Sequence, residues 1–117
     1  MKNVVAVIRP NKFFATKTLL AERGFMSMSA YNVLGHGRKR IGFSPAIGNA
    51  ENAYEGASFY AKKWIEIYVR DEDKDRLIQT IFEANDTGHA GDGMVFVLPA
   101  EDAVRLRTGE TGENALM

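Results

Sequence analysis

Thr87-Gly88-His89-Ala90-Gly91-Asp92-Gly93 sets three glycines and an aspartate within seven residues, directly before the apolar run Met94-Val95-Phe96-Val97-Leu98. Glycine lets backbone N–H groups come close to a guest, because no Cβ stands in the way. Successive amides in such a turn form a concavity that holds anions, phosphate above all. A second cationic feature follows at Arg105-Leu106-Arg107-Thr108-Gly109-Glu110. Two arginines two residues apart in an extended segment face the same side, and guanidinium groups suit bidentate phosphate recognition. Together the two blocks predict a nucleotide-phosphate site. A glycine turn without the arginines would as readily be a plain helix-to-strand connection.

Other chemistries find less support. His36 and His89 are the only histidines and there is no cysteine, so no metal site is expected. His89 and Asp92 are the only candidates near the turn for a nucleophile or general base, and neither has an evident orienting partner. Asp71, Glu72, Asp73 and Asp75 form a helix-start cluster favourable to the helix dipole, not a catalytic carboxylate pair. Lysine plus arginine equals aspartate plus glutamate, 15 each, which argues against a partner bound through broad phosphate neutralisation, and so against nucleic acid. The opening Val4-Val5-Ala6-Val7-Ile8 is cut short by Arg9-Pro10, too early for a signal peptide or membrane insertion. A cytoplasmic location is the expectation.

The elements that must position these residues follow from patterning. At 117 residues the chain is one domain, expected over residues 1–112 with a mobile tail at 113–117. Val4–Ile8 reads as a buried strand. Lys12–Arg23 reads as a helix with Phe13, Thr16 and Leu20 on one stripe, stopped by Gly24. Phe25–Leu34 alternates as a second strand. A long irregular region follows Gly35 and runs to about Lys63; it is expected to protrude. Trp64–Val69 is a strand with Ile65, Ile67 and Val69 inward, and Asp71–Asn85 is a helix with Leu77, Ile78, Ile81 and Phe82 as its stripe. Met94–Leu98 is a fourth strand, and Pro99–Val104 reads as a short helical turn. The order β-α-β-loop-β-α-β is the α+β, ferredoxin-like βαββαβ arrangement, an antiparallel sheet with two helices on one face. The bare face is expected to bury itself in an oligomer.

With Gly35-His36-Gly37-Arg38 after the second strand, the glycine turn, and Glu101 to Glu110, the chain resembles the nitrogen-regulatory PII signal-transduction family from Val4 to about Gly112. The resemblance implies a homotrimer that binds ATP or ADP in clefts between subunits. It also implies a T-loop, here about residues 38–62, that docks on a target such as an ammonium transporter, a nitrogen-assimilation enzyme or nitrogenase. Many members sense 2-oxoglutarate through magnesium-ATP. Carried over residue by residue, Gly91, Asp92 and Gly93 look like the phosphate cradle, and Arg105 and Arg107 like the phosphate-binding arginines. Gly35 and Gly37 match the glycines beside the nucleotide, and Arg38 matches the arginine at the T-loop base. Ser29 stands where a threonine lies near adenine, and Lys62 is the counterpart of the T-loop-end lysine. Tyr54 lies in a segment like the family's modifiable tyrosine segment.

Two departures bear on ligand choice. Lys39 replaces the glutamine that helps hold magnesium and 2-oxoglutarate, and a protonated lysine cannot ligate a metal. Met94 replaces the lysine after the Gly-Asp-Gly turn, which weakens contact with terminal phosphates and leaves AMP possible beside ADP. Three functions are thereby open: a regulator without enzymatic activity, a small phosphate-ester or nucleotide hydrolase on the same fold, and a binding module that has lost ligand sensing. Met94→Lys should strengthen ATP relative to AMP, read by calorimetry; an unchanged ratio would refute the role assigned to that position.

Overall fold

The run of β-branched residues near the N-terminus becomes a strand, β1 (Lys2–Ile8), that is paired on both sides. The computed structural model describes residues 1–36 and 59–116. Its sheet has the order β2-β3-β1-β4, with β2 at Ser29–Gly35, β3 at Tyr60–Val69 and β4 at Gly93–Pro99. Every strand pair is antiparallel. With helices α1 (Phe13–Glu22) and α2 (Lys74–Asn85), this is the ferredoxin-like α+β arrangement expected from patterning.

Alternation in the two central strands builds the core. Val4, Ala6 and Ile8 of β1 and Ile65, Ile67 and Val69 of β3 are buried with Leu20, Leu77 and Ile81 from the helices. Thr16 and Asn85 add a polar bridge between the helices. The Asn85 amide donates to Thr16 Oγ1 at 3.0 Å and to the Ile81 carbonyl at 2.9 Å. The register puts Val5 beside Glu66 and Phe96, and Val7 beside Trp64 and Met94, on the face that carries no helix. There Tyr31 stacks on Trp64 with centroids 6.1 Å apart, and the Glu66 carboxylate accepts from the Trp64 indole at 2.8 Å.

Several boundaries differ from the patterning, each for a local reason. Pro10–Lys12 and Asp71–Asp73 are 3-10 turns ahead of the helices, and the Asp71 carboxylate pairs with the Met1 amino group at 3.1 Å. The second strand starts at Ser29, because Phe25 is drawn into the core with the Arg76 guanidinium over its ring at 4.2 Å. Residues 60–62, assigned to the loop by composition, belong to β3, where Tyr60, Ala61 and Lys62 pair with Gly35, Leu34 and Val33. Pro99–Val104 is not a helical turn. The Asp102 carboxylate there takes the amides of Ala103 and Gly112, at 2.8 and 2.9 Å, and Val104 bridges Thr111. Within the expected tail, Gly112–Leu116 forms a 3-10 turn.

Leu77 is fully buried whereas Phe82, on the same stripe, is 57% exposed. Leu77→Ala should therefore cost about 2–5 kcal/mol of folding stability, and Phe82→Ala should cost about 1 kcal/mol or less. Urea unfolding of the two variants checks this.

Candidate nucleotide-phosphate site

Where α2 ends, short side chains close the glycine turn on itself. The Gly88 amide donates to Asp86 Oδ1 at 3.0 Å, and the His89 amide to Thr87 Oγ1 at 3.3 Å. Asp92 closes the loop from its far end: its Oδ2 accepts the Thr87 amide at 2.8 Å, and its Oδ1 accepts the Thr87 hydroxyl. These bonds hold the Asp92 carboxyl far below the usual carboxylate range, Thr87 being the larger cause and Arg9 the lesser. A depressed carboxyl contributes stability above the unfolded-state value and loses it only as acid reaches the folded one. The Asp92 carboxyl is therefore ionised at neutral pH, the form that accepts these bonds.

Backbone geometry explains two of the glycines. Gly91 has φ +96°, and a Cβ there would stand 3.2 Å from Arg9 Nη2. Gly93 has φ +122°, and a Cβ there would stand 2.1 Å from the Val7 carbonyl oxygen. Only glycine lets β4 leave the turn this close to β1.

Two cations meet at the turn. Arg9, just past the end of β1, gives Nη1 to Asp92 Oδ1 at 2.5 Å and Nη2 to the Ala90 carbonyl at 2.9 Å. Lys62 of β3 donates to the Gly91 carbonyl at 2.8 Å. Burial, and next the charge of Arg9, push the Lys62 ammonium below the usual lysine value. Two cations held together, one of them short of solvent, favour the arrival of an anion. Gly35 belongs to the same group, since a Cβ there would lie 3.1 Å from Lys62 Cγ. Among the described residues, no acceptor meets the backbone amides of Ala90 and Gly91.

The remaining predicted residues lie elsewhere. Ser29 and Arg105 line a second cleft of about 530 Å³ with Met28, Glu66 and Leu116. Ser29 is at the opposite end of β2 from Gly35, about 20 Å away at the rise of a strand. The arginine pair is not in an extended segment. The Gly109 amide donates to the Arg105 carbonyl at 2.7 Å, which folds residues 105–109 into a turn. Arg105 gives Nη2 to the Ala115 carbonyl at 3.1 Å, and Arg107 is exposed. Within one chain the two groups of predicted residues are thus held apart. Gly37, Arg38, Lys39 and Tyr54 lie outside the described residues. Sequence reasoning missed Arg9, which it treated only as the end of a strand. The signal would have been its place one residue after the strand that pairs with Gly93. Thr87 was noticed only as the border of the turn.

The fold and the turn define a class, and the comparisons agree with it. The family model described as nitrogen regulatory protein P-II matches residues 1–110. The chain is 43% identical, over the whole of both chains, to a protein of Methanobacterium ivanovii described as nitrogen fixation nifHD region GlnB-like protein 2. A nifHD1 region GlnB-like protein 2 of Methanosarcina barkeri is 41% identical, with 99% of each chain covered. Nitrogen regulatory protein P-II 2 of Methanothermobacter thermautotrophicus is 38% identical, over 99% of this chain and 97% of its own. The chain belongs to the nitrogen regulatory protein P-II family and is a regulator of nitrogen metabolism of that type. Among the described residues, no helix is long and apolar enough to cross a membrane.

Gly93→Ala should cost about 3 kcal/mol or more, from strain at positive φ together with the clash at Val7. A thermal melt indistinguishable from that of the unaltered chain would refute the close approach of β4 to β1.

Proposed function

We propose that this chain is a homotrimeric regulator that binds an adenine nucleotide in a cleft shared by two subunits. One observation carries the reading: the two half-sites lie at opposite ends of β2. Arg9, Lys62 and the glycine turn form the phosphate half, while Ser29 and Arg105 form the other. A ligand that needs both must take them from different chains. The helix-free face, with Val5, Trp64, Phe96 and Leu98 around an apolar cleft, is the surface on which copies associate. Arg107, exposed on its turn, reaches the phosphates of a neighbouring copy.

The residues present suit a nucleotide. The amides of Ala90 and Gly91, which meet no acceptor among the described residues, and the ammonium of Lys62 are donors for phosphate oxygens. Asp92 has both oxygens engaged by Thr87 and Arg9, so it is a poor magnesium ligand. Held ionised so firmly, it is also a weak general base, which disfavours the hydrolase reading. Magnesium and 2-oxoglutarate then depend on residues 37–58.

Ligand binding shifts the population of loop states between β2 and β3, because Lys62 stands at the foot of that loop. The loop docks on a protein target. Two relatives are named for a nitrogen fixation region, so nitrogenase is the target we favour over an ammonium transporter or a nitrogen-assimilation enzyme.

Calorimetric titration with AMP, ADP and ATP, with and without magnesium and 2-oxoglutarate, tests the reading. Arg107→Ala should lower nucleotide affinity by about 1.5–3 kcal/mol, the worth of a charged hydrogen bond. Unchanged affinity would remove Arg107 from the site. Absence of any nucleotide binding would leave only a binding module.

A further inference from the structure

A carboxylate is an awkward group in an anion-binding turn. The Asp92 side chain is 21% exposed, and left alone it would repel each phosphate brought to the amides beside it. The Thr87 amide and hydroxyl hold this carboxylate in place, but they are neutral and cancel no charge. Lys62 gives one of its three N–H donors to the Gly91 carbonyl and, among the described residues, forms no ion pair with Asp92. Among the described residues, Arg9 is the one ion-pair partner of Asp92, and its second nitrogen is anchored on Ala90 of the same turn. The charges at the turn are then Asp86 −1, Asp92 −1, Arg9 +1 and Lys62 +1, a net zero that falls to −1 without Arg9. Met94 adds nothing to this sum.

We propose that Arg9 is the positioning residue of the phosphate half-site: it cancels the Asp92 charge and turns that carboxylate into an internal staple of the glycine turn. Lys62 and the amides of Ala90 and Gly91 are thereby left to meet the phosphates. The inference rests on the nucleotide reading above and adds to it the residue that makes an aspartate tolerable there.

This role differs from a merely structural one in how it scales. A structural prop lost from the turn would weaken AMP, ADP and ATP alike. A bared carboxylate penalises the ligand by its charge, ATP most and AMP least. The pair can also be neutralised together. Asn at position 92 keeps an oxygen for the Thr87 amide and turns its NH2 toward position 9, where the amide oxygen of Gln can accept it. The double change leaves the net charge of the turn at zero, as in the unaltered chain.

The experiment is calorimetry on the full chain with Arg9→Gln, Arg9→Lys and the double variant Arg9→Gln/Asp92→Asn, each titrated with AMP, ADP and ATP, after thermal melts confirm folding. Arg9→Gln should weaken ATP about tenfold and AMP about threefold or less. Arg9→Lys, which keeps the charge, should preserve the ATP-to-AMP ratio even if its melt is lower. The double variant should return ATP to within about threefold of the unaltered chain. Equal losses for the three nucleotides, no loss at all, or no rescue would each overturn the proposal. If the unaltered chain binds no nucleotide, the nucleotide reading falls, and the same variants are titrated with inorganic tripolyphosphate. The same pattern of loss and rescue would then uphold Arg9 as the positioning residue of an anion site, and no binding to the unaltered chain would overturn that as well.

Discussion

Pairing of β1 on both edges is the constraint from which the site follows. Ile8 has Lys63 on one side and Gly93 on the other. The last residue of β1 is therefore fixed between the start of β3 and the start of β4. Arg9 comes next in the chain and has nowhere to go but across the turn that precedes Gly93. Lys62, one residue before the partner of Ile8, reaches the same turn from the other side. Antiparallel register brings together three segments separated in the widest case, Arg9 to Asp92, by 83 positions of sequence. Local propensity plays no part in that convergence.

Close approach at Gly93 is what the register demands in return. The Val7 carbonyl lies where any Cβ at position 93 would sit, so the β1–β4 ladder can continue to Ile8 only through glycine. The turn is then short and must be closed from within. Asp92 does this through Thr87, at the cost of placing a carboxylate beside amides suited to an anion. Arg9 resolves the conflict that the fold itself created. Sheet register, glycine and ion pair thus form one chain of cause.

The sheet has two faces with different fates. The helix face is closed by Leu20, Leu77 and Ile81 over β1 and β3 and forms the core of a single chain. The other face keeps Trp64, Phe96 and Leu98 around a cleft open to solvent, with Glu66 tied to Tyr31 and Trp64. Apolar surface of this kind gains from being covered. Ser29 and Arg105 stand apart from the glycine turn, at the opposite end of β2 from Gly35.

Much of this was legible in the sequence. A β-branched run marked β1, alternation marked β3, an apolar run marked β4, the 3.6-residue stripe marked α2, and their order determined the ferredoxin-like class. The glycine turn and the arginine block were visible as candidates by residue type alone, because glycine and arginine carry their chemistry wherever they stand. Boundaries were less legible: Phe25 and Tyr60 were misassigned because core packing and strand pairing outweigh local composition. Only the tertiary structure decided what each charged side chain faces. Arg9 and Asp92 are 83 positions apart, and no local pattern joins them. The extended arginine pair became a turn through a hydrogen bond between Arg105 and Gly109 that spacing does not reveal. Residue types and periods therefore determined the family of folds. The partners of each charge were set by sheet register, because electrostatic contacts depend on distance in space and not on distance along the chain.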